Sequence, residues 1–338
     1  MKYLIDPNYV TPLPYSLLSD TLAYVTGFEF IRDLNLTYRL NEKVFSEFDG
    51  ADFNLVLSGL FKGEQNEPRW KKVEKIKDEE WDMYAFHGGH ELVNEQFKHM
   101  ETNLAEDTDL TRQKIRSQIQ VAKELANTMN TIIVYHPGMV QNKPTNFKAT
   151  LKNLEFALKE AENYMLIAIE NMPRCNKGYY IGSDYRDIKQ ILKEINSPNL
   201  GMCFDWGHAN NYAKTFAQET NRKEEYIKNF SHHKEIIEEL NEKIIYAHIH
   251  YNRNHLIADP SEREDEHMPL TRMKVEEIKN YRETIRDLVK KTSIKKYDMM
   301  MLELIPKKVF GFYTIWPTGS TRKEQYKSLE FLKVFVGK

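Results

Sequence analysis

The chain has 338 residues, 41% of them hydrophobic, and a formal net charge of -2. That is enough apolar content for one large core, and the near-neutral balance excludes a global basic field that would draw the protein to nucleic acid. Two cysteines, Cys175 and Cys203, form no CxxC pair, no apolar run approaches the length of a membrane span, and the first residues, Met1 to Pro7, lack the apolar stretch of a signal peptide. The expectation is therefore a cytoplasmic protein with reduced thiols and no membrane partner.

In chain order, Lys2–Ile5 reads as a first strand, Tyr15–Val25 as a helix after Pro12 and Pro14, and Phe28–Ile31 as a second strand beyond Gly27. Residues 40–80 read as an irregular insertion, in which Ala51–Leu60 fits either an added strand or a short helix and Lys71–Glu80 a solvated charge run. The pattern then becomes regular. Asp82–Phe86 is a strand ending at His87. A helix capped by Thr108 or Asp109 runs to about Asn127, with Ile115, Ile119, Ala122 and Leu125 on one face. Thr131–Tyr135 ends at His136-Pro137-Gly138. A helix capped by Thr145 follows, then Met165–Ile169 ending at Glu170-Asn171, and a helix from Ser183 or Asp184. Leu200–Phe204 ends at Asp205, with Gly207 expected to give a tight turn before His208. A helix over about 223–240, a strand Lys243–Ile249 ending near His250, a helix over about 274–290, a strand Met299–Leu302 ending at Glu303 and a last helix over about 323–335 complete the chain.

Strands alternating with amphipathic helices imply right-handed βαβ units and a parallel sheet. Eight strands predict a single-domain (β/α)8 TIM barrel spanning residues 1–338, in which functional groups gather at the C-terminal strand ends. An open doubly wound sheet would not bring so many strand ends to one point, and no GxGxxG follows a first strand.

The strand-end groups are His87, His136, Glu170, Asp205 with His208, His250 and Glu303, joined by Asp265 and His267 from the loop after His250. Imidazoles and carboxylates in this mixture are ligands for Zn2+, Mn2+ or Fe2+. An acid closing a buried apolar strand, as Glu170 and Glu303 do, is costly unless paired or metal-bound. These groups are too many for one ion and suit three that share carboxylates. Other candidates read as structural: His232-His233 as part of a solvated helix face, His99 and His255 as loop residues, Trp206, Trp316 and Met299–Met301 as packing, with His90 and Lys307-Lys308 as weaker rim candidates.

The ordered set His136-Pro137-Gly138, Glu170-Asn171, Asp205-x-Gly-His208, His250-x-Asn252, Asp265-x-His267 and Glu303 resembles the endonuclease IV group of the xylose-isomerase-like TIM barrels, over about residues 82–306. The resemblance implies three divalent ions, Zn2+ first and Mn2+ or Fe2+ as alternatives. His87, His136 and Glu170 would hold one; Glu170, Asp205, His250 and Glu303 the second; His208, Asp265 and His267 the third. Glu170 and Glu303 would be the catalytic carboxylates and a metal-bound hydroxide would attack phosphorus. His248 and Arg253 would be substrate contacts, Arg253 standing where the family usually has an acid. The implied partner is a phosphate-ester substrate, abasic DNA among the candidates. The isomerase and epimerase branch of the same superfamily shares Glu170, Asp205, His250 and Glu303 and uses one ion, so the alternative is a single-metal sugar isomerase or epimerase. The first 80 residues do not match the endonuclease IV opening, and Gly88-Gly89-His90-Glu91 offers no aromatic wedge.

Overall fold

A computed structural model describes residues 1–5, 50–55, 60–77, 83–89, 102–126, 131–174, 178–252, 266–304, 309–310, 313–314 and 322–337. Short apolar runs bounded by polar loops form the staves, because a parallel sheet covered on both faces needs strands that are apolar on both sides. The staves are β1 (Lys2–Ile5), β2 (Gly50–Asn54), β3 (Met83–His87), β4 (Thr131–Tyr135), β5 (Met165–Glu170), β6 (Leu200–Asp205), β7 (Ile244–Ile249) and β8 (Met299–Leu302). They close into a barrel in chain order, all neighbours parallel, with β1 joined to both β2 and β8. The fold is an α/β TIM barrel of one domain.

The stave between β1 and β3 is Gly50–Asn54, which the sequence predicts as part of an irregular insertion. Its Gly-Ala-Asp-Phe-Asn sequence has no β-branched run, so pairing with two neighbours rather than local propensity makes it a strand. The predicted strand Phe28–Ile31 and helix Tyr15–Val25 lie outside the described residues. Trp70–Lys77, within the predicted charge run, is a helix (α1) that buries Val73 and Ile76.

The outer layer continues with α2 (Asp109–Leu125), α3 (Lys148–Ala161), α4 (Tyr185–Ile195), α5 (Trp206–Glu219), α6 (Ser231–Leu240), α7 (Val275–Lys291) and α8 (Arg322–Val336). The Thr108 hydroxyl accepts from Thr111 N at 3.0 Å and the Asp184 carboxylate from Arg186 N at 3.1 Å, fixing the starts of α2 and α4. The single helix predicted over 223–240 is broken: Glu224–Lys228 is followed by Phe230 at φ 51° and then α6. That break turns His232 and His233 inward, where both are buried, contrary to the solvated face predicted for them. His232 packs 4.6 Å from Phe216 and His233 4.4 Å from Trp206, ring centre to ring centre. Among the described residues no helix is long and apolar enough to cross a membrane.

Alternation along the staves divides the core. Ala85, Ile132, Val134, Leu166, Ala168, Cys203, Tyr246, Met299 and Met301 form one buried cluster. Their neighbours Phe86, Ile133, Tyr135, Ile167, Ile169, Met202, Phe204 and Met300 join the larger cluster with the helices. The first set is the barrel interior. Two residues beyond it on six staves come His87, His136, Glu170, Asp205, His248 and Glu303. Period-two geometry therefore points all six toward the mouth of the barrel.

Candidate metal centre

Glu170 ends β5 and is buried among imidazoles. Its Oε2 lies 3.3 Å from His87 Nε2 and 3.5 Å from His136 Nε2. Its Oε1 lies 3.2 Å from His248 Nδ1 and 3.4 Å from His208 Nδ1. The two oxygens thus face two different histidine pairs. Burial pushes the Glu170 pKa up, but the His248 charge and hydrogen bonds from His136, His248 and His87 outweigh it and hold the carboxyl well below the usual range. Burial likewise raises Glu303, and the charges of His267 and His248 reverse the effect, leaving it ionised.

Asp205 closes β6 and caps α5, its Oδ1 accepting from His208 N at 2.6 Å. The neighbouring Asn171 side chain clasps the Asp205 backbone in both directions, donating to its carbonyl and accepting from its N–H, each at 2.8 Å. The Asn171 carbonyl holds His208 Nδ1 at 2.9 Å, and the Gly88 carbonyl holds His87 Nδ1 at 3.0 Å. Each bond places a proton on Nδ1, so that an ion taking the place of the Nε2 proton would be met by Nε2, the usual arrangement around metal-ligating histidines.

Among the described residues, three sets of side chains each offer ligand atoms that all lie within 4.8 Å of one another: Glu170, Asp205, His248 and Glu303; His87, Glu170 and His248; and His208, His250 and His267. His248, predicted as a substrate contact, thus stands where His250 was expected. The cause is register. His248 pairs level with Asp205 on β6 and with Met301 on β8, whereas His250 lies past the last residue of β7. His250 instead turns to Asp205, its Nε2 3.0 Å from both carboxylate oxygens, and stacks on His267 at 4.1 Å. Gly207, predicted to make a turn, lies inside α5, where a Cβ would overlap the His250 ring. His136, expected to share an ion with His87 and Glu170, is in none of these sets, although its Nε2 lies 3.5 Å from Glu170 Oε2. Asp265, Arg253, His90, His99, His255 and Lys307-Lys308 lie outside the described residues.

Two residues that the sequence names only as members of motifs, with no role of their own, hold this arrangement. Asn171 does so as described. Asn252 Oδ1 accepts from Glu266 N at 2.7 Å and His267 N at 3.1 Å, and Tyr251 and Met268 exchange backbone hydrogen bonds at 2.9 Å. These bonds fix His267 at φ 40°, with its Nδ1 3.5 Å from Glu303 Oε2. Both asparagines follow a strand-end ligand by one or two residues, which was the available signal.

The donor set fits divalent cations. Glu170, Asp205 and Glu303 are buried together, and the partners found within ion-pair distance among the described residues are histidines, with no lysine or arginine among them. Clustered buried acids without a fixed positive side chain are tolerated when protonated histidines or metal ions compensate them.

Known proteins place this geometry in context. A stretch of an uncharacterized protein of Methanocaldococcus jannaschii is 35% identical over 107 residues, covering 30% of this chain and 35% of that protein. The probable endonuclease 4 of Mycoplasma mycoides subsp. mycoides is 28% identical over 158 residues, covering 45% of this chain and 53% of its own. These matches therefore span about half or less of the relatives' length. A D-tagatose 3-epimerase-like protein superposes with a TM-score of 0.56 at 21% identity, over 99% of this chain and 97% of the other. Endonuclease IV from Thermus thermophilus gives 0.52 at 12% identity, over 99% of both chains. At such identities the two structures speak for the fold alone. The family model described as a xylose isomerase-like TIM barrel matches residues 73–332, which takes in every stave from β3 onward and all the ligand candidates, and the chain belongs to that family.

Proposed function

We propose that the protein is a divalent-metal-dependent hydrolase of phosphate esters. The observation that carries this reading is the set His208, His250 and His267 standing directly against the set Glu170, Asp205, His248 and Glu303. One ion needs only the second set; the first supplies ligands for another. Bound divalent ions would polarise a phosphoryl oxygen, acidify a water and neutralise the leaving oxygen. The chain's own part is to hold the carboxylates ionised, to fix the histidine tautomers through the Asn171 and Gly88 carbonyls, and to keep water from below with the packed barrel interior. Similarity to a probable endonuclease 4 and the ordered motifs favour a nucleic-acid phosphodiester, with abasic DNA the first substrate to try.

A sugar epimerase is the second reading, favoured by one specific feature. Glu170 Oε1 and Glu303 Oε2 lie 3.2 and 3.3 Å from the same His248 Nδ1, so two carboxylates flank one compact ligand set. One carboxylate of such a pair can take the proton from a ketose carbon beside the carbonyl while the other, protonated, returns a proton to the opposite face of the same carbon. Assays of Zn2+- and Mn2+-loaded protein on an abasic duplex, on bis(p-nitrophenyl) phosphate and on ketohexoses decide between them. Phosphodiester cleavage that is lost in Glu170→Ala is expected. Ketose epimerisation without phosphodiester cleavage establishes the second reading, and neither activity sinks both.

A further inference from the structure

We infer that Met139 and Tyr180 form the wall against which the substrate lays a nucleobase next to the phosphate that is cut. This rests on the phosphate-ester reading above and names the group carried by that phosphate.

Two short strands rise from the staves that carry His136 and Glu170. Met139–Val140 follows β4, Tyr179–Tyr180 follows β5, and they pair antiparallel, Met139 opposite Tyr180 and Val140 opposite Tyr179. This small sheet is tied close to the metal centre. Ile181 N donates to the Gly138 carbonyl at 2.9 Å, and Met172 N to the Gly182 carbonyl at 3.1 Å. Gly138 and Met172 each stand two residues beyond a strand-end group, His136 and Glu170. At Gly182 a Cβ would lie 3.2 Å from the Glu170 carbonyl oxygen and 3.3 Å from Pro137 Cγ, so the second strand passes directly by the ends of β4 and β5.

Alternation gives the sheet two unlike faces. Val140, Tyr179 and Ile181 share one. Ile181 and Val140 pack with the core beneath the helices, and the Tyr179 hydroxyl donates to Asp187 Oδ2 of α4 at 2.5 Å. That face is turned to the helix layer. Met139 and Tyr180 share the opposite face, which turns from the helices toward the mouth of the barrel, and both are half-buried there. The bond between Ile181 and Gly138 makes Met139 and Tyr180 a non-hydrogen-bonded pair, the kind whose side chains stand closest together. A thioether beside a phenol ring is a flat, uncharged surface that suits the face of an aromatic ring rather than a second phosphate.

The wall is fixed before anything binds. The Asn103 side chain accepts from Met139 N and donates to the Met139 carbonyl, each at 3.0 Å, and so covers the outer edge of the first strand. Gly138 takes φ 113°, where a Cβ would meet Ala105 N at 2.5 Å, which seats the strand tightly against that loop. A surface ordered in advance loses little freedom when a ring lies on it. An abasic nucleotide leaves one flank of its phosphate without a base, and the wall takes the base on the other flank.

The test is calorimetric titration of the Zn2+-loaded full chain with inorganic phosphate, ribose phosphate and AMP, each affinity read as a ratio to inorganic phosphate, which carries no ring. In wild type the ratio for AMP should exceed that for ribose phosphate at least about fivefold, the lower end of what stacking one base contributes. Tyr180→Ala should abolish the difference, Met139→Ala should reduce it and Tyr180→Phe should keep it. Equal ratios in a wild type that binds phosphate overturn the wall and leave the hydrolase reading standing. Wild-type discrimination retained in both Tyr180→Ala and Met139→Ala overturns the assignment of these two residues. A wild type that binds neither phosphate nor either ester overturns the phosphate-ester reading itself.

Discussion

Replacing Glu170 by glutamine keeps the side chain's shape and deletes the charge that both histidine pairs share. The carboxylate sits 3.2 to 3.5 Å from His248, His87, His208 and His136. In the metal-free protein the imidazoles would lose their buried counter-charge. Removing one partner of a buried pair costs about 3 kcal/mol at the lower end of the usual range, the appropriate end here because imidazoles can release their protons. With ions bound, a second difference appears. Wild type at a hundredfold excess of Zn2+ over Kd gains about 2.7 kcal/mol. For a chain of this size that is a rise in Tm of about 4 °C. The Gln variant, lacking the charge on either oxygen, should lose the part of that gain that comes from the set Glu170, Asp205, His248 and Glu303. Differential scanning calorimetry of chelator-treated protein with and without Zn2+ measures both effects. A Glu170→Gln protein that melts like wild type without metal and gains the same increment with it would refute the shared-carboxylate arrangement.

Two further outcomes follow from the supporting residues. Burial holds His232 at a pKa of about 3, against an ordinary 6.5, so the unfolded chain takes up a proton there before the folded one does. That contribution to stability is intact above pH 6.5 and falls as pH drops from 6.5 toward 3, by about 2 kcal/mol at pH 5. His232→Phe should flatten the acid limb of urea-melt stability against pH, and an unchanged slope would contradict the assignment. Asn252→Ala removes the acceptor for Glu266 N and His267 N and should lower Zn2+ affinity about tenfold or more, as loss of a ligand-orienting partner does, whereas Asn252→Asp keeps the acceptor and should restore most of it in calorimetric titration.

Much of the centre was legible because its placement follows the two-residue period of a strand. Ala85 to His87, Val134 to His136, Ala168 to Glu170, Cys203 to Asp205 and Met301 to Glu303 are each one period, so an interior apolar residue announces a candidate ligand two positions later. The same period could not separate His248 from His250, which share a face; only the register of β7 against β6 and β8 does so. His232 and His233 were misread because their sequence neighbours are charged, and their burial comes from the packing of α6 on α5. Gly50–Asn54 is a stave through its partners, not through its own composition.

The spacing of Asp205 and His208 has a local physical origin that links the two ligand sets. A side chain that caps a helix accepts from the backbone N–H two or three residues on. Asp205 does so with His208, the third residue after it, and therefore draws the His208 backbone against its own carboxylate. The residue that ends the strand, starts the helix and joins the set of Glu170, His248 and Glu303 thus also fixes where the first imidazole of the set with His250 and His267 begins. Trp206 and Gly207 occupy the positions between them. The indole is buried against Tyr281 and His233, anchoring the helix start in the outer layer. Gly207 faces the other way and leaves room for His250, whose Nε2 returns to the same Asp205 carboxylate. An Asp-x-Gly-His tetrapeptide is then a single unit: a helix cap whose charge serves one set, whose third residue clears space for a second imidazole, and whose fourth provides the first. Lengthening or shortening the spacing would break the cap and the ligand geometry together.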